Sequence, residues 1–339
     1  MKAAVLCAPG ELEIREIDDA LCPKGGALIR VEACAVCPSD IKMLREGHRD
    51  LSYPRTLGHE VVGELIEVDT IEAPPIGSRI QIWPGIVCNE CPSCLTGIDN
   101  ICTQQGIFGF NYDGGFAEYM AIPPGSIQRG LNVVSGSIDA NTASLTEPLA
   151  CCVHAHNMCQ TSESEYVLII GAGPMGLLHT MLTLSIDARP IVVEPIEERR
   201  RLAEQLGAYV LDPSENLSKD VLKLTGRGAD IAMLATPLAD ISEVMRSMAP
   251  RGRVCVFSGL PLDDGIKPIN LRHLHYNELT LVGAYGCTSH SNKQALELIS
   301  SETIDVGRLI TMKTDLEHLE DGFLHVEKRE GLKCIITEF

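Results

Sequence analysis

A histidine and a glutamate stand side by side between two glycines in the stretch Gly58-His59-Glu60-Val61-Val62-Gly63. An imidazole nitrogen and a carboxylate oxygen are both zinc ligands, and flanking glycines allow the sharp bend that would offer them to one ion. Alone, the pair is a weak signal, because neighbouring histidine and glutamate residues are common on solvated surfaces. Other residues must therefore support any metal site here.

Four cysteines are spaced as Cys88-x-x-Cys91-x-x-Cys94, followed by Cys102. Four thiolates in so short a loop can close a tetrahedron around Zn²⁺ and leave no open position, which is typical of a structural site. Buried thiols or disulfides are the alternative. A loop rich in Pro, Gly and Asn packs poorly as a core, so the pattern favours structural zinc.

A glycine-rich stretch follows the apolar run 167–170 and opens an amphipathic segment. This strand-then-helix context is the one that a dinucleotide-binding turn requires, although any glycine-rich turn between a strand and a helix is the simpler alternative. The first glycine would make the turn, the second would let a pyrophosphate approach, and the third would let helix and strand pack closely. The candidate cofactor-binding residues are Gly171, Gly173, Pro174, Met175 and Gly176.

Glu194 ends the next predicted strand, where a carboxylate would accept hydrogen bonds from the adenosine ribose and repel a 2′-phosphate. NAD is therefore favoured over NADP. Three arginines follow, Arg199, Arg200 and Arg201, and one of them, such as Arg199, could instead bind a 2′-phosphate. A solvated helix face is the simpler interpretation for at least two of the three.

Cys37 and Glu147 are further candidate ligands for a zinc ion bound by the His-Glu pair. Cys37 with His59 would make a sulfur and nitrogen zinc pair, and Glu147 lies where the two predicted domains join. A thiolate, an imidazole and a carboxylate, with water or substrate in the fourth position, compose an open catalytic zinc site.

The composition restricts the class of protein that can present these groups. The chain has 339 residues and a formal net charge of −18, so nucleic acid and anionic lipid are unlikely partners. Neither a secretion signal nor a membrane-spanning run is expected. Fourteen cysteines without such a signal indicate a reducing cytoplasm.

Two domains are predicted from the periodicity of apolar residues. Short alternating strands with few helices predict an irregular, barrel-like β domain over 1–145, to which 292–339 returns. Alternating strands and helices over 146–291 predict a doubly wound α/β domain, beginning with helical spacing over 143–159. Its predicted helices lie near 175–185, 197–206, 217–224 and 239–248, and its predicted strands near 191–193, 209–211, 231–234, 254–257 and 279–282.

These motifs occur in one order and spacing that resembles the zinc-dependent medium-chain dehydrogenases, the alcohol dehydrogenase superfamily, over nearly the whole chain. The resemblance implies a GroES-like catalytic domain, a Rossmann domain and a homo-oligomer, dimer or tetramer. Within the family, Glu147-Pro148-Leu149 resembles the sorbitol, polyol and threonine dehydrogenase branch.

The resemblance also implies individual roles. Cys37 and His59 would be direct zinc ligands, with Glu60 as the resting third ligand. Glu147 would exchange with Glu60, either directly or through the zinc water, and Ser39 would begin a proton relay.

Four departures from the family pattern bear on the substrate and on the relay. Pro38 replaces a usual glycine, and Lys42 stands where many members have the histidine that ends the relay. Gly85 replaces the histidine of threonine dehydrogenases, and the stretch 283–286 lacks the arginine of sorbitol dehydrogenases.

The sequence therefore predicts an enzyme with two zinc ions per chain that uses NAD to interconvert a secondary alcohol and its ketone on a polyol, cyclitol or sugar alcohol. A threonine or amino-alcohol dehydrogenase is the alternative. A non-catalytic dinucleotide- or zinc-binding protein and a zinc-free NADPH reductase are disfavoured by the intact ligand set.

Overall fold

The computed structural model describes residues 1–214, 216–260 and 265–339. Short strands make up most of its regular structure in the first part of the chain. The strands are β1 (Lys2–Ala8), β2 (Glu11–Glu16), β3 (Ala27–Ala35), β4 (Arg55–Thr56), β5 (Glu60–Val68), β6 (Arg79–Ile82), β7 (Gly85–Ile86), β8 (Gly106–Ile107), β9 (Tyr119–Ile122), β10 (Leu131–Val133), β11 (Tyr166–Ile170), β12 (Arg189–Val193), β13 (Tyr209–Leu211), β14 (Ala229–Leu234), β15 (Met248–Val256), β16 (Thr280–Gly283), β17 (Ile310–Asp315) and β18 (Lys333–Glu338).

The helices are short, and none in the described ranges is long and apolar enough to cross a membrane. Within the described residues, three short 3-10 helices, Asp99–Ile101, Val306–Leu309 and Leu316–His318, accompany them. The α-helices are α1 (Pro38–Glu46), α2 (Pro92–Leu95), α3 (Pro124–Gly130), α4 (Ala140–Ser144), α5 (Thr146–Cys159), α6 (Pro174–Ser185), α7 (Glu197–Leu206), α8 (Leu217–Thr225), α9 (Ile241–Arg246), α10 (Leu271–Tyr276), α11 (Ser289–Ser300) and α12 (Leu319–Glu327).

The first compact unit comprises Met1–Ala150 and Cys287–Phe339. Its main sheet has the order β10-β6-β5-β3-β18-β17, with β9 also paired to β3, and two small sheets lie beside it. Apolar side chains from these strands and from α1 and α12 form one core, which includes Ile29, Leu65 and Phe323. The expected fold class of this part, an irregular β-rich domain, is confirmed.

The second unit comprises Cys151–Gly286. Its six strands are all parallel, in the order β13-β12-β11-β14-β15-β16, which is the order of a doubly wound dinucleotide-binding sheet. The inner strands are almost continuously buried, as parallel strands covered by helices on both faces must be. The predicted Rossmann architecture is confirmed.

Several element boundaries differ from the prediction. The helical spacing over 143–159 is divided between α4 and α5, with Leu145 as the C-cap of α4. The helix predicted near 239–248 is shorter, because Met248 already belongs to β15. The helix α1 lies in the stretch where few helices are predicted; its apolar residues Ile41, Met43 and Leu44 are buried, and it begins at Pro38, whose fixed φ suits the first helical position.

Two buried histidines of the second unit have no hydrogen-bond partner. His156 on α5 and His179 on α6 have ring centroids 5.3 Å apart, and all four ring nitrogens lack a partner among the described residues. Burial lowers the pKa of His156 to about 3 and the pKa of His179 well below its ordinary value. Both rings are therefore neutral in the native protein at neutral pH.

This pair predicts a loss of stability in mild acid. In the unfolded chain both histidines bind protons as the pH falls through about 6.5, whereas the folded chain resists protonation, so stability is full above that value and declines below it. Between pH 7.5 and 5.5 the two histidines together should cost about 2–3 kcal/mol in the free energy of unfolding. Urea unfolding of the wild type and of the double variant His156→Leu/His179→Leu measures this difference.

The control is His290→Gln, since His290 is exposed and should leave the pH dependence unchanged. Equal pH dependence in the wild type and the double variant would show that the buried pair is not responsible.

Candidate functional site

Three predicted zinc ligands lie together in the first unit. One ligand atom each from Cys37, His59 and Glu60 lies within 4.8 Å of the other two. His59 and Glu60 are 6% and 1% exposed, so their polar groups need partners inside the protein. A thiol, an imidazole and a carboxylate at these distances suit a zinc ion, which would use them as three of its ligands.

The backbone around Gly58 places the His-Glu pair at the start of β5. Gly58 has φ of +95°, and a Cβ there would lie 2.8 Å from Cys34 Sγ, so a larger residue does not fit. Cys37 caps α1 after the end of β3, and Ala35 of β3 pairs with Glu60. Neighbouring strand ends thus bring together ligands that are 22 residues apart in the chain.

The side chains of Asp40 and Ser39 orient the histidine. Asp40 Oδ1 lies 3.2 Å from His59 Nδ1, at ion-pair distance but not aligned as a hydrogen bond, and Asp40 Oδ2 accepts from the Cys37 backbone N–H at 3.0 Å. Ser39 Oγ lies 3.4 Å from His59 Nε2. A carboxylate facing Nδ1 leaves Nε2 for a metal, an arrangement common around histidine ligands.

Electrostatics at His59 depend on these neighbours. Burial lowers the pKa of His59, but the Asp40 carboxylate and the Cys37 thiol outweigh burial and hold that pKa well above its ordinary value. No role for Asp40 is predicted from the sequence, although its position three residues after Cys37, with Pro38 between them, is typical of a helix start. Phe110, whose ring meets His59 edge-on at 5.6 Å, has no such signal.

Glu60 also has a partner that the sequence analysis misses. Lys333 Nζ donates to Glu60 Oε1 at 2.7 Å and Oε2 at 2.5 Å, and to the Val36 carbonyl at 3.0 Å. Lys333 is 3% exposed; burial lowers its pKa, but the Glu60 carboxylate outweighs burial and raises that pKa. Any ion that uses Glu60 as a ligand must therefore share it with an ammonium group.

Glu147 lies outside the group formed by Cys37, His59 and Glu60. It stands in the first turn of α5, and its carboxylate lies within 4.8 Å of the Cys287 thiol. Its negative charge contributes to the raised pKa of Lys333. Lys42, at the proposed outer end of the relay, has its ammonium 4.0 Å from Glu46 on the surface of α1.

The four lobe cysteines, Cys88, Cys91, Cys94 and Cys102, form a second cluster. Their sulfur atoms are 3.9 Å apart for Cys88 and Cys94, 3.5 Å for Cys91 and Cys94, 3.8 Å for Cys91 and Cys102, and 3.6 Å for Cys102 and Cys88. A zinc–sulfur distance of about 2.3 Å gives a tetrahedron with edges of about 3.8 Å. The cluster therefore has the size that a zinc ion requires.

Backbone groups further favour thiolates in this lobe. The Cys91 N–H donates to Cys88 Sγ at 3.3 Å, and the Gln104 N–H donates to Cys102 Sγ at 3.4 Å. Hydrogen bonds from the backbone of Cys94 and Thr103 lower the pKa of Cys91 to about 6. Burial raises the pKa of Cys94 to about 12, which is the expected contrast when close thiols share protons.

In the second unit, the glycine-rich turn has the geometry that its predicted role requires. Gly171 follows β11 with φ of +101°, and Gly173 caps α6 immediately before Pro174. A Cβ on Gly176 would lie 1.9 Å from the Gly171 carbonyl oxygen, so glycine is required there. Met175 is the second residue of α6. The turn thus presents backbone amides at a helix N-terminus, where a phosphate binds well.

Glu194 is 4% exposed and faces this turn. Its carboxylate accepts from the Ala172 N–H at 2.6 Å and from the Ile196 N–H at 3.0 Å. A carboxylate has further lone pairs, so Glu194 can accept from a ribose hydroxyl as well. It is the buried acid at the end of β12 that the sequence analysis predicts.

The three arginines of α7 have different surroundings. Arg199 Nη1 lies 3.6 Å from the position of a Cβ on Gly173, beside the turn. Arg200 donates to the Glu194 and Pro195 carbonyls and pairs with Asp212, so it stabilises the fold locally. Arg201 pairs with Glu197 on the surface. Of the three, Arg199 is the one that lies beside the glycine-rich turn.

Comparisons with known proteins agree with this geometry. The family model described as alcohol dehydrogenase GroES-like domain matches residues 23–129, and the model described as zinc-binding dehydrogenase matches residues 174–301. The L-threonine 3-dehydrogenase of Bacillus subtilis is 32% identical over 325 residues, covering 92% of this chain and 90% of that protein. The D-altritol 5-dehydrogenase of Agrobacterium fabrum is 29% identical and covers 94% of each chain.

Solved structures show the same architecture. A structure from Sinorhizobium meliloti 1021, described as a zinc-binding dehydrogenase and bound to NADP, is 27% identical, with a TM-score of 0.89 over 99% of this chain and 98% of its own. The two family models, the full-length relatives and the clustered zinc-ligand residue types all agree. The chain belongs to the zinc-dependent medium-chain dehydrogenases of the alcohol dehydrogenase superfamily and is an oxidoreductase.

Proposed function

We propose that this enzyme interconverts a secondary alcohol and its ketone on a polyol, cyclitol or sugar alcohol, with NAD as the preferred cofactor. The observation that carries the proposal is the cluster of Cys37, His59 and Glu60 with Asp40 behind the imidazole. This donor set is that of an open zinc site, which keeps a position for substrate. Relatives named as polyol and sugar-acid dehydrogenases support a polar substrate.

The chain's own residues divide the work at the catalytic site. Cys37 and His59 would hold the zinc, which when bound supplies a Lewis acid that polarises the substrate hydroxyl. Asp40 fixes the orientation of His59. Ser39, with its hydroxyl 3.4 Å from His59 Nε2, would accept the alcohol proton and pass it toward solvent at Lys42.

Two glutamates, Glu60 and Glu147, are candidates for the third zinc-ligand position. Glu60 lies in the ligand group but shares its carboxylate with Lys333. Glu147 lies outside that group yet close enough to influence Lys333. We keep Glu60 as the resting ligand and assign Glu147 to the exchanging position, where its carboxylate would also meet a polar substrate.

The second unit would bind the cofactor, which accepts or returns the hydride. The amides of the turn at Gly171 and Gly173 would bind the pyrophosphate, and Glu194 would accept from the ribose. Arg199 stands beside the same turn, and the NADP-bound relative shows that this fold also accepts the phosphorylated cofactor. Glu194 would therefore favour NAD, whereas the Arg199 guanidinium would bind the 2′-phosphate of NADP.

Threonine or another amino alcohol is the alternative substrate. The Bacillus subtilis threonine dehydrogenase is 32% identical to this chain. Against this alternative, Gly85 stands where threonine dehydrogenases have a histidine. The Trp83 ring leaves no room for a side chain at this position, because a Cβ there would lie 2.5 Å from the ring.

We also keep two expectations about the working state of the enzyme, a homo-oligomer and a cytoplasmic location. Support for an oligomer comes from Leu271 and Tyr276 on α10, which are 72% and 69% exposed, and from β16, which is the last strand of its sheet. The cytoplasmic location is supported by the high cysteine content.

Cys37→Ser tests the catalytic site. Loss of one thiolate ligand should remove one zinc per chain and lower kcat/KM by about 10³-fold, which corresponds to several kcal/mol of transition-state stabilisation. Wild-type turnover is first established by following NAD reduction with polyols, inositols, amino alcohols, threonine and simple alcohols. Full turnover and normal zinc content in Cys37→Ser would disprove the assignment.

Cys94→Ser tests the lobe. A closed four-thiolate site contributes directly to folding, so this variant should lose the other zinc and unfold at a Tm lower by about 10 °C. The measurement is calorimetry together with metal analysis. Cys7→Ser is the matched control, because Cys7 lies outside both metal clusters and should keep two zinc ions. An unchanged Tm after loss of the lobe metal would contradict a structural role.

Glu194→Gln and Arg199→Ala test cofactor choice. Removing the Glu194 charge should raise kcat/KM for NADP relative to NAD by about tenfold, and removing the Arg199 guanidinium should lower it by a similar factor. Arg201→Ala is the control on the same helix and should change neither value. If Glu194→Gln leaves the ratio of kcat/KM for NADP to kcat/KM for NAD unchanged, Glu194 does not select NAD through the ribose.

A further inference from the structure

Asp99 lies in the lobe between Cys94 and Cys102, and its carboxylate is completely buried. It accepts hydrogen bonds from the Ser289 backbone N–H at 3.0 Å, from the Ser289 hydroxyl and from Arg129 Nη1 at 2.9 Å. A buried charge is costly unless donors surround it. Three donors make Asp99 a stable connection between segments that are 190 residues apart.

Arg129 connects this carboxylate to the cysteine cluster. It is the last residue but one of α3, and its Nη2 donates to the Cys94 carbonyl at 3.1 Å while Nη1 pairs with Asp99. The guanidinium fork thus fixes Asp99 relative to one of the predicted lobe ligands. A displacement of the lobe would therefore move Asp99 and its hydrogen bonds to Ser289.

On the other side, Ser289 is the first residue of α11, and the segment before it is held at several points. The Trp83 indole N–H donates to the Cys287 carbonyl at 3.1 Å, and the Thr288 hydroxyl accepts from the Ser291 N–H at 3.0 Å. Cys287 is 5% exposed, and its thiol lies within 4.8 Å of the Glu147 carboxylate. Asp99 thus holds Ser289, which lies two positions after Cys287, the residue whose side chain adjoins Glu147.

We propose that Asp99 is a positioning residue, which holds the Cys287 thiol beside Glu147 and so couples the cysteine lobe to the substrate position. The proposal rests on the proposed function, because it assigns substrate contact to the Glu147 and Cys287 pair. Cys287 presents a small, weakly polar side chain beside the Glu147 carboxylate, and this side chain limits the space available to a polar substrate there.

The charge on Asp99 distinguishes this role from simple packing. An asparagine of the same shape would fill the space but could not match three donors with acceptors alone, because one of its two terminal groups is itself a donor. Neutralising Asp99 should therefore loosen Ser289 and shift Cys287. A displacement of about 1 Å at the substrate position lowers turnover without unfolding the protein.

Two variants disrupt the hydrogen bonds between Asp99 and Ser289, one by changing the acceptor and one by changing the donors. Asp99→Asn removes the charge, and Ser289→Pro removes both donors of Ser289. Proline is compatible with the first helical position, and Thr288 before it already has the extended backbone, φ −75° and ψ 159°, that a following proline requires. Ser289→Pro should therefore fold with α11 intact.

Two further variants serve as controls. Asp18→Asn removes an exposed carboxylate of the same unit. Leu6→Ala creates a core cavity away from Asp99 and matches the loss of stability without cutting the connection.

The measurement uses the zinc-loaded full-length protein. The rate of Cys287 alkylation by iodoacetamide is followed by peptide mass mapping, alongside zinc content, kcat and KM. We expect alkylation at least about fivefold faster in Asp99→Asn and Ser289→Pro, with two zinc ions retained and kcat/KM about tenfold lower. Asp18→Asn and Leu6→Ala should keep the wild-type alkylation rate.

Wild-type alkylation rates in both connection variants would overturn the proposal, and so would an equal increase in Leu6→Ala, which would reveal a general effect of lower stability. If the wild-type enzyme oxidises none of the alcohols tested, the proposed function fails. The alkylation rates still decide whether Asp99 positions Cys287, so the two failures are distinguishable.

Discussion

A buried ion pair between Glu60 and Lys333 dominates the electrostatics of the proposed catalytic site. The two side chains are 1% and 3% exposed, and removing either one would leave an uncompensated buried charge, at a cost of about 3–5 kcal/mol. The pair joins the first residues of β5 and β18, which flank β3. With a divalent ion, the Cys37 thiolate, the Asp40 and Glu60 carboxylates and the Lys333 ammonium, the site would be formally neutral. The ammonium therefore offsets one carboxylate, so a bound ion would remain able to stabilise negative charge on a substrate oxygen.

The start of α1 performs several tasks within four residues. Cys37 caps the helix, Ser39 approaches His59 from one side, and Asp40 faces His59 on the other while accepting from the Cys37 amide. Pro38 fixes the backbone at the first helical position. Because ligand, hydroxyl and orienting carboxylate share one helical turn, they are positioned together. Pro38, which stands where the family usually has a glycine, therefore lies in the rigid turn that positions all three groups.

The parts of the structure that follow from the sequence are those set by local spacing. Four cysteines in one loop can only cluster, and the glycines around Gly173 turn the chain where a strand ends. The Glu60 partner, Lys333, lies 273 residues away, and Asp99 lies 190 residues from Ser289, so both contacts depend on strand register and packing that no local pattern encodes. The predicted end of the helix near Met248 is wrong for a related reason, because burial of this segment in the parallel sheet outweighs its helical spacing.

Four of the acids to which a role is assigned are buried, whereas Glu147 is half-buried. The chain contains 46 aspartates and glutamates, and a net charge of −18 requires most of them to remain solvated. Asp40, Glu60, Asp99 and Glu194 are at most 4% exposed, and each faces a different partner set: an amide with an imidazole, an ammonium, a guanidinium with a serine, and two amides. Such donors fix each carboxylate in place, so these acids orient neighbouring groups. In the proposed mechanism the proton would be carried by a group with rotational freedom, and the Ser39 hydroxyl, which lies beside His59, is the group proposed for that step.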